Sequence, residues 1–308
     1  MNIQSNAPTT SLRQRMIEDM QARRLSAATQ KFHIKSCKRF AGFLERSPET
    51  ATPDDVRRFQ HHLSEAELSI ITRNRIMTGV KFLVRVTLRR LDLANEIYHL
   101  REPQKIPLVM SSDEVRRLLA MARTRKAHIL LSLAYGCGLR VGEVVRLKAG
   151  DIDSAQGIIR VVQGKGGKDR HVMLSRDLLD LLRQWWKVRP TRYDAGVRPA
   201  ERWLFPGRHP GKPLSTRQLT RLFHETADAA GITKPVTPHS LRHSFATHLL
   251  ERGDDIGVVQ ALLGHDKLDS TARYTRVATA MIASIESPLD ALTAPRGKPG
   301  KRKKPEPV

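Results

Sequence analysis

Residues 157–174 of this 308-residue chain read GIIRVVQGKGGKDRHVML. Two short β-branched runs, GIIRVVQ (157–163) and HVML (171–174), flank the glycine-rich turn GKGGKDR, which is the pattern of a β-hairpin. On both sides of it the periodicity is helical. Upstream, helices are predicted over 112–124, 126–137 and 141–147, and Ser111 with Glu114 has capping-box spacing. Downstream, helices are predicted at 176–187 and 215–230, then one opened by Thr237-Pro238, one at 254–263 stopped by Gly264, and a short one carrying Tyr274. This half of the chain is therefore α+β, with helices gathered around a small hairpin.

Further out, the N-terminal part shows helices and no strand. A first helix is predicted from Ser11 to Arg24. A second begins near Ser26, and its Ile34, Cys37, Phe40, Phe43 and Leu44 recur at three- and four-residue steps, making one apolar stripe. After the break SPETATP, Thr52-Pro53-Asp54-Asp55 reads as an N-cap, a first-turn proline and first-turn acids, opening a third helix that ends near Ala66. A fourth is predicted from Ile70 to Leu91, rich in Arg73, Arg75, Lys81, Arg85, Arg89 and Arg90. Lys81, Arg85 and Arg89 are four apart, so on a continuous helix they share a face suited to a row of phosphates. The layout is a loose start at 1–10, a four-helix domain at 11–94, a linker with two prolines at 95–110, a mixed domain at 111–290 and a basic tail at 291–308.

The charge narrows the class of partner. The chain has 54 Lys+Arg against 31 Asp+Glu, a formal net charge of +23. The Pro/Gly-rich segment 295–308 supplies +5 of this and leaves +18 on the folded body, which points to a polyanion. With 40% hydrophobic and 28% charged residues the composition is that of a globular protein. No apolar run reaches the ~18–20 residues needed to cross a bilayer, and the start MNIQSNAPTTSLRQRM has no apolar signal core, so no membrane partner is expected and the cytoplasm is the expected compartment. Cys37 and Cys137 give neither a disulfide framework nor a Cys/His cluster, so no metal site is expected.

Four segments carry candidate chemistry. In TPHSLRHSFATHLLERG (237–253), Thr237 can cap and Pro238 can sit first, which puts His239 and Arg242 on one face near a positive helix end, a ready anion site. His243 and His248 fall on other faces and read as structural. In YGCGLRVGEVVRL, Arg140 follows a glycine break and can grip two phosphate oxygens, with Glu143 placed to brace it. Lys165 lies in the hairpin turn, where a short rigid hairpin can aim it into a DNA groove or at a leaving oxygen. In ALLGHDKLDSTARYTRV, His265 follows the Gly264 stop and Tyr274 lies nine residues on.

Taken together, GCGLRVGEVVRLKAGDID, RVVQGKGGKDRHVML, PHSLRHSFATHLLERG and LLGHDKLDSTARYTRV resemble the tyrosine recombinase (phage integrase) family, most closely its Xer-like and integron-integrase-like members. They occur in the family's order and at about its spacing. The likeness spans the second domain, and the first looks like the family's helical core-binding (SAM-like) domain. The fold it implies is mainly α with a small β-hairpin or sheet: a four-helix core-binding domain followed by an α+β catalytic domain.

The resemblance also implies roles. Arg140 and Arg242 match the two catalytic arginines, Lys165 the hairpin lysine, His239 and His265 the two histidines, and Tyr274 the nucleophile that forms a 3′-phosphotyrosyl bond with DNA. Glu143 stands behind Arg140, and Arg73, Lys81, Arg85 and Arg89 are the expected DNA-backbone contacts. Implied partners are double-stranded DNA and further copies of the chain, two per site and four in a synapse, with no cofactor and no metal. The expected function is site-specific recombination (DNA integration, excision or resolution). The alternatives are type IB topoisomerase-like activity and a catalytically silent DNA-binding regulator. The basic tail departs from the compact Xer-like pattern.

If the charge serves DNA, affinity must fall steeply with salt, by a log–log slope of about −0.9 for each phosphate neutralised. Fluorescence anisotropy on a labelled duplex across a salt series measures it, and a flat response contradicts the charge argument.

Overall fold

The structure, a computed structural model, describes residues 11–103, 107–162, 169–264 and 288–289. The chain divides into two compact units, Met1–Lys105 and Ile106–Val308.

In the first unit, helices α1 (Ser11–Ala22), α2 (Ala27–Leu44), α3 (Pro53–Glu65) and α4 (Ile70–Phe82) are followed by a short α5 (Leu91–Asn95). The starts are set by side-chain caps. Ser26 caps α2 and Ser69 caps α4, while at Thr52 the Asp55 carboxylate accepts the Thr52 N–H at 2.8 Å. Of the expected stripe on α2, Cys37 and Phe40 are buried, and Ile34, Phe43 and Leu44 are half-buried. Phe40, Val56, Phe59, Leu63, Met77 and Val80 form the main core, with Phe40 and Phe59 ring centroids 5.0 Å apart. Helices α2 and α4 approach closely because Gly79 has no side chain: a Cβ there would lie 2.7 Å from that of Ser36.

The expected fourth helix is not continuous to Leu91. After Phe82 the backbone widens into a π-turn over Leu83–Thr87, with Leu88 N–H bonded to the Leu83 carbonyl at 2.9 Å. Arg89 then takes a left-handed φ of 56° and ends the run. The segment LVRVT is rich in β-branched residues, which crowd a helical turn, and Leu83, Val84 and Thr87 are all buried, so packing outweighs helical regularity. Residues 96–102, the first half of the expected linker, are bonded back to this unit. Asn74 donates to the Leu100 carbonyl at 2.8 Å and accepts from its N–H at 2.9 Å, and Gln60 donates to the Glu96 carbonyl at 3.0 Å.

The second unit holds α6 (Ser112–Ala120), α7 (Arg125–Gly136), α8 (Val141–Val145), strands β1 (Ile152–Asp153), β2 (Ile158–Val161) and β3 (Arg170–Met173), then α9 (Arg176–Val188), α10 (Thr216–Ala229), α11 (Pro238–Glu251) and α12 (Ile256–Leu263). Helix α7 is buried from Ile129 through Gly136, as a helix apolar on all sides must be, and it packs against α9, α10 and α11. The hairpin pairs Ile158 with Met173, Ile159 with Val172, Arg160 with His171 and Val161 with Arg170. β1 adds a third antiparallel strand that the sequence pattern did not reveal, being two residues long. The GKGGK turn lies outside the described residues. No helix among the described residues is long and apolar enough to cross a membrane.

Removing the Phe59 ring should leave a cavity against Phe40 and Phe43 and cost about 3–5 kcal/mol. Phe59→Ala is therefore expected to lower the denaturant midpoint of the first unit's unfolding strongly, and a loss below about 1 kcal/mol contradicts this packing.

Candidate active site

The site is built on the ends of three helices and one strand of the second unit. Arg140 is the N-cap of α8, and Glu143 is the third residue of that helix. At this spacing the carboxylate reaches back to the cap: Glu143 Oε2 accepts the Arg140 backbone N–H at 2.8 Å and Oε1 accepts Arg140 Nη1 at 2.9 Å. Glu143 therefore braces Arg140, as its sequence position suggested.

A second guanidinium meets the same carboxylate. Arg170, the first residue of β3, donates from Nη1 to Oε1 at 2.9 Å and from Nη2 to Oε2 at 2.7 Å. Its Nε donates to the Leu262 carbonyl at 2.8 Å. Sequence reading missed this residue. The available signal was the strand alternation: Val172 faces the core, so Arg170, two residues earlier, faces the same side and must bring its charge to a partner there.

Arg242 is fully buried in α11. It donates from Nη1 to the Gly138 carbonyl at 2.7 Å and from Nη2 to the Leu263 carbonyl. Arg140 Nη2 reaches the next carbonyl, that of Gly264, at 3.4 Å. Three arginines thus hold three successive carbonyls, Leu262, Leu263 and Gly264, at the C-terminal end of α12, where carbonyls lack helical partners and the helix dipole is negative. Glycines shape both turns involved. Gly138 has a φ of +58°, and a Cβ on it would lie 2.5 Å from the Phe245 ring, while Gly264 has a φ of +61°.

His239 lies in the first turn of α11 with its side chain exposed, behind Thr237 as N-cap and Pro238. Its ring meets that of His243 edge-on, with centroids 4.5 Å apart. His243 is pressed below its ordinary pKa by burial and by the Arg242 charge. His248 is structural, as expected: it is buried, and its Nδ1 is 2.8 Å from the Tyr135 hydroxyl. Lys165, His265 and Tyr274 lie outside the described residues.

Electrostatically the cluster is cationic. Burial tends to raise the Glu143 pKa, but the hydrogen bonds and charge of Arg170, then the N–H and guanidinium of Arg140, outweigh it and hold the carboxyl down at about 2. Burial, then the charges of Arg140 and Arg170, press Arg242 down to about 9, so it stays a cation at neutral pH. Three guanidiniums around one carboxylate leave a surplus of two positive charges. Such a charge surplus is suited to an anion with several oxygens.

On the first unit, the single helical face expected for Lys81, Arg85 and Arg89 is corrected. Arg73 donates to the Ser64 hydroxyl at 2.6 Å and half-buried Lys81 to the Ile97 carbonyl at 3.4 Å. Arg85 and Arg89 are exposed, but the π-turn and the left-handed Arg89 break the four-residue spacing, so Lys81, Arg85 and Arg89 do not lie on one helical face.

Comparison with known proteins agrees with this architecture. The profile of the phage integrase family matches residues 109–281, and that of the phage integrase N-terminal SAM-like domain matches residues 12–91. An integrase/recombinase of Sinorhizobium fredii is 40% identical over 292 residues, covering 94% of this chain and 92% of that one. The tyrosine recombinase XerA of Thermococcus kodakarensis is 39% identical over 226 residues, covering 71% of this chain and 76% of that one. Among solved structures, a lambda integrase tetramer bound to a Holliday junction has the same fold, with a TM-score of 0.65 at 19% identity, covering 85% of this chain and 78% of that one.

Because the folded Glu143 pKa of about 2 lies below its ordinary value of 4.5, the ion pairs contribute stability at neutral pH. That contribution, roughly 3 kcal/mol, is fully present above the ordinary value and is lost as pH falls toward the folded one. Glu143→Gln should therefore lower the unfolding midpoint at pH 7 and flatten its decline between pH ~5 and ~2. Denaturant melts across that range check it, and an unchanged acid limb contradicts it.

Proposed function

The chain belongs to the phage integrase family, and on that premise we propose that the arginine pocket is the phosphate-binding part of an active site completed by Lys165, His265 and Tyr274. The protein is a site-specific DNA recombinase, an enzyme that cuts and rejoins DNA strands. The observation that carries the site assignment is the cationic surplus around Glu143. Two of the three guanidiniums are residues matched to the family's catalytic arginines, and they converge through carbonyls adjacent to His265.

The chemistry follows from those positions. The Tyr274 hydroxyl attacks the scissile phosphorus, and the bond from phosphorus to the 5′-oxygen breaks. The 3′-phosphate ends on tyrosine and a 5′-hydroxyl is released. A phenol with a pKa of about 10 is almost wholly protonated at neutral pH, so it needs a proton acceptor, the role this reading gives His239, and cationic surroundings. Arg140 and Arg242 neutralise the non-bridging oxygens, most effectively as charge builds in the transition state. Lys165 gives the leaving 5′-oxygen its proton, and His265 hydrogen-bonds the phosphate. The phosphotyrosyl bond keeps the energy of the phosphodiester, so a 5′-hydroxyl from a second duplex attacks it and restores tyrosine.

The first unit, through Arg73, Lys81, Arg85 and Arg89, holds duplex DNA in this reading, now as scattered contacts rather than one row. Exchange between two duplexes calls for two protomers on each site and four in the synapse, and the cytoplasm is the compartment. Leu289 is buried in the core of the second unit.

A nicked suicide duplex drawn from the flanks of the native gene tests the reading. Wild type is expected to form a covalent adduct on a denaturing gel, and Tyr274→Phe none. Arg140→Ala and Arg242→Ala should lose roughly 10²–10³-fold in adduct rate, the scale for a donor to a transition-state oxyanion, with duplex affinity nearly unchanged. Equal losses in cleavage and binding overturn the catalytic assignment of the arginines. Relaxation of a plasmid without exchange between duplexes moves the reading to a topoisomerase.

A further inference from the structure

Arg170 has no part in the chemistry above, yet it makes the most directed set of bonds in the pocket. All three of its nitrogen types are used: Nη1 and Nη2 on the two oxygens of Glu143, Nε on the Leu262 carbonyl. Its side chain is only 10% exposed. It is closely packed as well, since a Cβ added to Gly264 would lie 3.0 Å from Arg170 Cδ. A charge taken this far from water must have a partner of matching geometry, and the planar fork of arginine matches a carboxylate edge.

We propose that Arg170 is a positioning residue for strand cleavage, acting through Arg140 and through the end of α12. The first route is the shared carboxylate. Glu143 Oε1 receives Nη1 of both Arg170 and Arg140, so fixing the carboxylate from the β3 side fixes the direction in which Arg140 points. The second route is the chain: Leu262, held by Arg170, is three residues before His265. One side chain at the foot of the hairpin thereby ties together α8, β3 and the corner from which the His265 segment departs. The assignment rests on the reading of Arg140 as a cation for the scissile phosphate.

Lysine cannot replace it. A lysine ammonium can pair with one carboxylate oxygen, but it has no fork with which to hold both oxygens and a carbonyl at once. A displacement of about 1 Å in a phosphate-binding group can cost roughly 10²-fold in rate.

The test uses the full-length protein and the duplex on which wild type forms the adduct. Arg170→Lys and Arg170→Met are compared with wild type in adduct rate, duplex affinity and thermal midpoint. Each rate is taken on two substrates, one with the natural scissile phosphate and one with an uncharged methylphosphonate. If Arg170 works by aiming Arg140, both variants lose roughly 10²-fold on the phosphate. Binding stays within a factor of two or so, and the loss shrinks clearly on the methylphosphonate, which has less charge to neutralise. A purely structural strut gives the same loss on both substrates, and that result overturns the proposal. So does an unchanged rate, a loss of binding equal to the loss of rate, or collapse of the fold in both variants. Failure of wild type itself to form an adduct overturns instead the recombinase reading of the site, and takes this assignment with it.

Discussion

The second unit depends on one buried carboxylate. Glu143 is 5% exposed, and a lone carboxylate at that depth would shed its charge rather than stay ionised. It stays ionised because Arg170 grips both oxygens and Arg140 closes on it from the backbone and the side chain. Replacing such a group by an apolar one of equal volume need not cost stability, but removing a single partner leaves an uncompensated buried charge. The cluster is therefore all or none in character. It joins α8 to β3 directly, and through Leu262, Leu263 and Gly264 it joins both to α12 and α11.

The same arrangement explains why arginines hold the end of a helix here. The last carbonyls of α12 need donors, and the dipole there favours positive charge. Arg140, Arg170 and Arg242 supply both needs, so the guanidiniums are kept in place by neutral backbone carbonyl dipoles. These carbonyls anchor the guanidiniums without cancelling their charge. A carboxylate at each position would neutralise the surplus, whereas three carbonyls and one carboxylate leave it intact.

How much of this was legible in the sequence depended on how local the cause was. Caps were readable because each lies within four residues of its partner: Ser111 with Glu114, Thr52 with Asp55, and the Thr237-Pro238 start of α11. The hairpin was readable from alternation, and the Glu143 brace from its three-residue spacing to Arg140. The π-turn after Phe82 was not, because Leu83, Val84 and Thr87 keep a helical spacing and it is burial in three dimensions that widens the turn. Arg170 escaped for a related reason. Its partners are 27 and 92 residues away, so no window of sequence contains the pair. The strand β1 escaped because two residues carry no period at all.

The two units hold positive charge in different environments, exposed in one and buried in the other. Arg85 and Arg89 stand in water, where screening makes each worth little alone and where their value lies in number. Arg242 is 2% exposed, and the energy of whatever meets it is magnified by the lack of solvent. Loss of one exposed cation is shared among the remainder of a chain carrying +23. Loss of one buried guanidinium has no such reserve, because its neighbours already depend on the same carboxylate and the same three carbonyls. On the proposed function, affinity for a polyanion is spread over a surface, while discrimination between a bound phosphate and one in the act of transfer falls to the few cations held around Glu143.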